Sequence, residues 1–105
     1  MIEEALGAPL RIRILLALEK WGEINVTELA HILGTNYSKL AAHLEALRQY
    51  GLVEDKRIGR ARLVKLREAD VVISLVRALR VADEKIKAIK GLPPQTSSEH
   101  SKPPQ

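Results

Sequence analysis

Two apolar stripes of helical period stand between Asn25 and Gly51, and only Gly34, Thr35 and Asn36 separate the segments that carry them. Leu29, Ile32 and Leu33 form the first stripe, and Leu40, Leu44 and Leu47 the second. Gly34 takes the left-handed conformation that ends a helix without steric cost. Asn25 and Asn36 stand where a side-chain oxygen can accept from the free amides of a helix start. Glu28 follows Asn25 by three residues, a capping-box pattern. So short a link forces the two helices to cross in contact. Ala30 is small where they approach, and Leu40 plugs the second into the first. This spacing predicts a helix-turn-helix.

The flanks add the remaining elements. "APLRIRILLALEKWG" reads as a helix with Pro9 in its first turn, a stripe of Leu10, Ile14, Ala17, Leu18 and Trp21, and Gly22 as its stop. Trp21 closes that stripe and is expected in the core. After Gly51 the period changes. Leu52, Val53, Leu63 and Val64 are strand formers around "KRIGRAR", a hairpin whose Gly59 supplies a positive φ. The short "EIN" can pair as a third strand. A helix is expected over residues 68–90, followed by a Pro/Ser-rich segment, 91–105, expected to be disordered. The fold class is therefore mainly α with a small β-hairpin wing: a winged helix-turn-helix over 1–66 and a long C-terminal dimerisation helix over 67–90.

Charge narrows the function. Residues 1–34 carry three cations against five carboxylates, while 35–65 carry seven against three. A central basic segment on a compact fold suits a polyanion. There is no Cys, hence no disulfide, thiolate site or thiol nucleophile. No Ser/His/Asp set, phosphate loop or carboxylate pair in a plausible cleft suggests an enzyme. No apolar run is long enough to cross a bilayer, and no signal-peptide layout opens the sequence, so a soluble cytoplasmic protein is expected. The absence of cysteine, with abundant Lys, Arg and Glu, also fits a thermophile.

An α-helix fits the major groove of DNA, and its N-terminal residues reach base edges. The helix over 36–50 offers Asn36, Tyr37, Ser38, Lys39, Ala41 and Ala42 there. Tyr37, Ser38 and Lys39 can hydrogen-bond, Ala41 and Ala42 allow close approach, and the free amides of 36–38 can hold a phosphate. The hairpin is then a wing, with Lys56, Arg57, Arg60 and Arg62 around Gly59 set to straddle the backbone or enter a minor groove.

These residues carry a resemblance. From Leu6 to Leu66 the chain is similar to winged-helix transcription regulators of the ArsR type, through "LGAPLRIRILLAL", "VTELAHILG" and "NYSKLAAHLEALRQYGLVEDKRIGRARLVKL". The run "HLEALRQYGLV" before a basic, glycine-tipped wing is its most specific part. The resemblance implies a dimeric, sequence-specific binder of double-stranded DNA, usually a repressor. Many members sense metals through cysteines in the helix corresponding to 26–33, and this chain has none. Others use Asp, His and Glu on the last helix, where this chain has Asp70, Asp83 and Glu84 but no His. No metal or cofactor is expected. His43 is expected to be a half-buried packing residue, and His31 and His100 make no metal site. The rival readings are a protein–protein module of a larger complex and a non-specific architectural DNA binder.

On the last helix, Val72, Leu75, Leu79, Ala82, Ile86 and Ile89 follow one another at three- and four-residue steps, a coiled-coil seam. Val71, Ile73 and Val76 add apolar surface beside it. Such a helix either folds back on its own domain or pairs with a second copy. Pairing would place two recognition helices about 34 Å apart on successive faces of a duplex.

Overall fold

A computed structural model describes residues 1–92. The Pro/Ser-rich segment lies outside the described residues beyond Leu92. The elements are α1 (Ile2–Ala5), α2 (Pro9–Trp21), β1 (Ile24–Asn25), α3 (Val26–Leu33), α4 (Tyr37–Gln49), β2 (Val53–Ile58), β3 (Ala61–Leu66) and α5 (Asp70–Ile89). The sheet is antiparallel in the order β1-β3-β2, so "EIN" does supply a third strand, with Ile24 opposite Val64.

The helix-turn-helix forms as its spacing requires. Gly34 sits at φ 66°, ψ 36°, and the amide of Thr35 returns to the carbonyl of Ala30. Asn36 Oδ1 accepts from the amide of Lys39 at 2.8 Å, a cap worth about 1 kcal/mol. Asn25 caps α3 differently from expectation: its side chain accepts from the amide of Thr27, so the capping box with Glu28 is not what starts this helix. The wing turns at Gly59, φ 61°, the left-handed region its hairpin needs.

One core holds the layers together. Ile14, Leu15 and Leu18 of α2, Val26 and Leu29 of α3, Leu40, Leu44 and Leu47 of α4, and Val53 and Val64 of the sheet are all buried in it. α2 is the central element, touching α3, α4, α5 and β3. Trp21 is only half-buried at the edge of this core, with Lys20 Nζ 4.9 Å from its ring centroid. It packs against the core on one side and lines a groove between α2, α3 and α5 on the other.

Two further differences have local causes. The four-residue α1 was not expected; its start is tied by the terminal ammonium to Glu4 Oε1 at 2.7 Å, and Arg11 Nη1 donates to the Glu4 carbonyl at 2.8 Å. α5 begins at Asp70 rather than at 68. The residues before it still belong to the sheet: the amide of Arg67 bonds to the carbonyl of Leu52, and Lys65 Nζ reaches Glu68 at 2.6 Å. Val72 and Val76, at the start of α5, enter the same core as the winged segment.

Leu40 is fully buried where α4 plugs into α3. Leu40→Ala should lower the unfolding free energy by about 2–5 kcal/mol, read from the midpoint shift in urea denaturation.

Candidate nucleic-acid interface

α4 is buried along one side only. Leu40, Leu44 and Leu47 face the core, and Tyr37, Ser38, Lys39 and Ala42 are exposed, with Ala41 half-buried beside them. The first turn of α4 therefore stands clear of the rest of the described chain. Asn36 is exposed too, but its side-chain oxygen is committed to the Lys39 amide.

The wing meets this helix through its root. Strand alternation sorts the cations onto two faces. Val53 pairs with Leu66, Asp55 with Val64 and Arg57 with Arg62, all on the core-side face. Lys56, paired with Leu63, is on the other face, where its Nζ lies 3.4 Å from Glu23. Arg62 Nε donates to Asp55 Oδ2 at 2.7 Å, with both side chains largely covered. Partial burial pulls the Arg62 pKa down, but the Asp55 hydrogen bond and a further one involving Tyr37 outweigh it and hold the pKa above its ordinary value. Arg62 thus links the two strands of the wing, with Tyr37, the first residue of α4, close enough to act on its charge. Among the described residues, Lys39, Arg57 and Arg60 make no side-chain hydrogen bond or ion pair.

Behind α4, Arg11 Nε donates to His43 Nδ1 at 3.1 Å, so the imidazole lone pair must be free of a proton. Burial first, then the charges of Arg11 and Lys39, hold the His43 pKa below its ordinary value. The expected half-buried packing role is what the geometry gives, with a hydrogen bond added that spacing alone did not reveal. Among the described residues, no cluster of three or more His, Cys, Asp or Glu side chains has metal-binding geometry. No helix is long and apolar enough to cross a membrane among them either.

Comparison with known proteins gives this geometry a family. The sequence pattern described as "Bacterial regulatory protein, arsR family" matches residues 8–55, from the start of α2 into the wing. The homodimeric winged helix-turn-helix DNA-binding domain Mb0332 of Mycobacterium bovis, a possible ArsR-family transcriptional regulator, is 32% identical. That match covers 83% of this chain and 80% of that one, with a TM-score of 0.70. The chain belongs to the arsR family. HlyU of Vibrio cholerae superposes with a TM-score of 0.71 at 27% identity, covering 77% of this chain and 86% of that one. NolR of Sinorhizobium fredii gives 0.64 at 28%, covering 88% and 83%. A search of curated protein sequences finds no significant match.

For this arsR-family chain, the structure redistributes the residues expected at the interface. Asn36, Tyr37, Ser38, Lys39, Ala41 and Ala42 do share one helix end, and Arg57, Gly59 and Arg60 are exposed at the wing. Arg62 and Lys56 already have partners within the protein: Arg62 bonds to Asp55, and Lys56, still exposed, pairs with Glu23. Asp55 stands diagonally across the hairpin from Arg62, and Glu23 immediately precedes β1; these two carboxylates were the signal in the sequence. Ile58, exposed beside Gly59, is an apolar wing residue that the charge count passed over.

The seam on α5 is also divided. Val72 is buried in its own protomer, and Leu75 and Leu79 are half-buried against the same core, whereas Ala82, Ile86 and Ile89 are exposed. Val72 is therefore corrected from a seam residue to a core residue. At 100° per residue the outward stripe rotates to Val71, Ala78, Ala82 and Ile89, with Ile86 at its edge. Val71 is 75% exposed and Ile89 83%.

The depressed pKa of His43 sets a pH dependence. As pH falls below about 6.5, the unfolded chain takes up this proton before the folded one does, so stability is lost as pH falls through the folded value. His43→Gln keeps an acceptor for Arg11 without titrating. The fall in Tm between pH 7.5 and 5.5 should be shallower in this variant than in the parent; equal slopes would refute the assignment.

Proposed function

We propose that the chain is a homodimeric, sequence-specific regulator of transcription that binds double-stranded DNA and acts as a repressor by occupying its site. What supports this reading is the exposed start of α4, with Tyr37, Ser38, Lys39 and Ala42 open to solvent, on a helix that packs against β2 of a wing whose Arg57 and Arg60 are exposed. In this reading α4 enters the major groove. Ser38, Lys39 and Ala42 read base edges, with Ala41 allowing close approach, while Asn36 and Tyr37 hold the helix start against the backbone. Arg57 and Arg60 contact phosphates of the neighbouring backbone, and Ile58 packs on sugar. Arg62 and Lys56 position the wing rather than touch DNA.

The outward stripe of α5 pairs with its copy, through Val71, Ala78, Ala82, Ile86 and Ile89, with the edges of Leu75 and Leu79. Residues 1–66 are the reading unit and 67–90 the pairing helix, sharing the core at Val72 and Val76. Neither a metal nor a cofactor has a role in this reading, and the protein is a binder, not an enzyme. A cytoplasmic location follows from its task.

Arg57 and Arg60 of each protomer give about four phosphate contacts per dimer. Affinity for duplex should then fall by ~10² between 50 and 200 mM salt. Arg57→Glu and Arg60→Glu should weaken binding to every duplex alike and lower the salt slope, whereas Ser38→Ala or Lys39→Ala should also shift sequence preference, by about 1–3 kcal/mol at the bases concerned. Fluorescence anisotropy on a selected and a random duplex separates the two effects. A flat salt response would instead favour a protein-partner module, and equal affinity for both duplexes an architectural binder.

Pairing is tested by sedimentation. The parent chain should be a dimer at micromolar concentration, and Ala82→Asp with Ile86→Asp should leave a folded monomer. A monomeric parent would remove the dimer from the reading.

A further inference from the structure

A groove of about 750 Å³ opens between α2, α3 and α5, away from the α4 helix end and the wing. Its apolar lining includes Leu16 and Trp21 of α2 and Ile32 and Leu33 of α3, all half-buried. These are the side chains the core stops short of. Five cations and three carboxylates rim it. Each carboxylate is already matched: Glu19 to Arg80 at 2.8 Å, Asp83 to Lys87 at 3.2 Å and to Arg13 at 3.7 Å, and Glu84 to Arg80 at 3.6 Å. The excess is therefore positive. Arg77 makes no side-chain hydrogen bond or ion pair among the described residues, and it stands one helical turn from Arg80 on the same side of α5.

We propose that this groove binds a small amphipathic organic anion, with its apolar body on Leu16, Trp21, Ile32 and Leu33 and its carboxylate on Arg77 and Arg80. A purely apolar occupant would leave Arg77 unused, and a bare inorganic anion would leave the floor wet. An anion with an aliphatic or aromatic body satisfies both. The Arg80–Glu19 ion pair is half-exposed on its Arg80 side, so the guanidinium can share its remaining N–H donors with a competing carboxylate. The site is open in the assembled protein as well: Arg77, Arg80 and Glu84 occupy the side of α5 opposite Val71, Ala78 and Ala82. Bound there, the anion bridges α5 to α3, the helix that supports α4. That consequence for DNA rests on the preceding reading; the binding itself does not.

Trp21 is the chain's one tryptophan and reports directly. The full chain is titrated with decanoate below its micelle concentration, with decyltrimethylammonium, decanol and sulfate in parallel. Decanoate should change Trp21 emission saturably with Kd below ~1 mM, tighter than the three controls. Arg77→Glu should weaken it at least ~10-fold with unchanged far-UV circular dichroism, and Arg77→Lys should stay within a few-fold of the parent. Leu16→Gln, at a half-buried position outside the core, is the second arm and should also weaken binding. No saturation by about 5 mM, an equal response to decyltrimethylammonium, or affinity indifferent to both Arg77→Glu and Leu16→Gln overturns the proposal.

Discussion

Everything that the second helix of the pair can present outward follows from its being held along a single face. Leu40, Leu44 and Leu47 bury completely, while Tyr37, Ser38, Lys39 and Ala42 are left to solvent at the start of α4. The glycine at position 34 makes this possible by ending α3 within one residue, so that α4 lies across it instead of continuing it. Burial on one side and exposure on the other are thus one fact. A longer link would free the helix to roll, and the residues it offers would no longer be fixed.

The sheet does the same for the wing. Two of its four expected cations, Arg62 and Lys56, pair with carboxylates of the protein itself. Arg62 is the pivot: it is partly covered, it is bonded to Asp55 of the opposing strand, and it involves the tyrosine that opens α4. A charge with its partner inside the protein has little left for a phosphate, but it converts a two-stranded hairpin, mobile by nature, into an arm of set direction. Lys56 braces the outer face against Glu23 in the same manner.

Much of this was legible in the sequence, and the reasons are physical. Helix stops and starts were readable because Gly34, Asn25, Asn36 and Gly59 act locally, and the stripes of α2 and α4 because burial imposes a period of its own. What escaped depended on the third dimension. Asn25 looked poised for a capping box with Glu28, yet its oxygen meets Thr27 first. Arg62 counted as one more cation until strand register brought Asp55 opposite its neighbour. The α5 seam was drawn through Val72 because heptad spacing cannot tell a side buried in its own protomer from a side facing outward; the outward stripe lies about 50° around, through Val71, and shares Ala82, Ile86 and Ile89 with that seam. Trp21 was placed in the core by its stripe, but nothing in sequence says that α3 and α5 leave a gap over the end of α2.

Val72 and Val76 have a consequence for how the molecule can be divided. They seat the first turns of α5 among side chains contributed by α2 and the sheet, whereas the last turns extend past that interior with Ile86 and Ile89 bare. Cutting the chain after residue 66 would not liberate an intact reading head; it would pull two valines out of the middle of it. Trimming the distal turns alone would leave the interior whole and strip away only adhesive surface. The same rod is therefore a structural beam at one end and an exposed apolar surface at the other, and losses at its two ends would be felt in different properties.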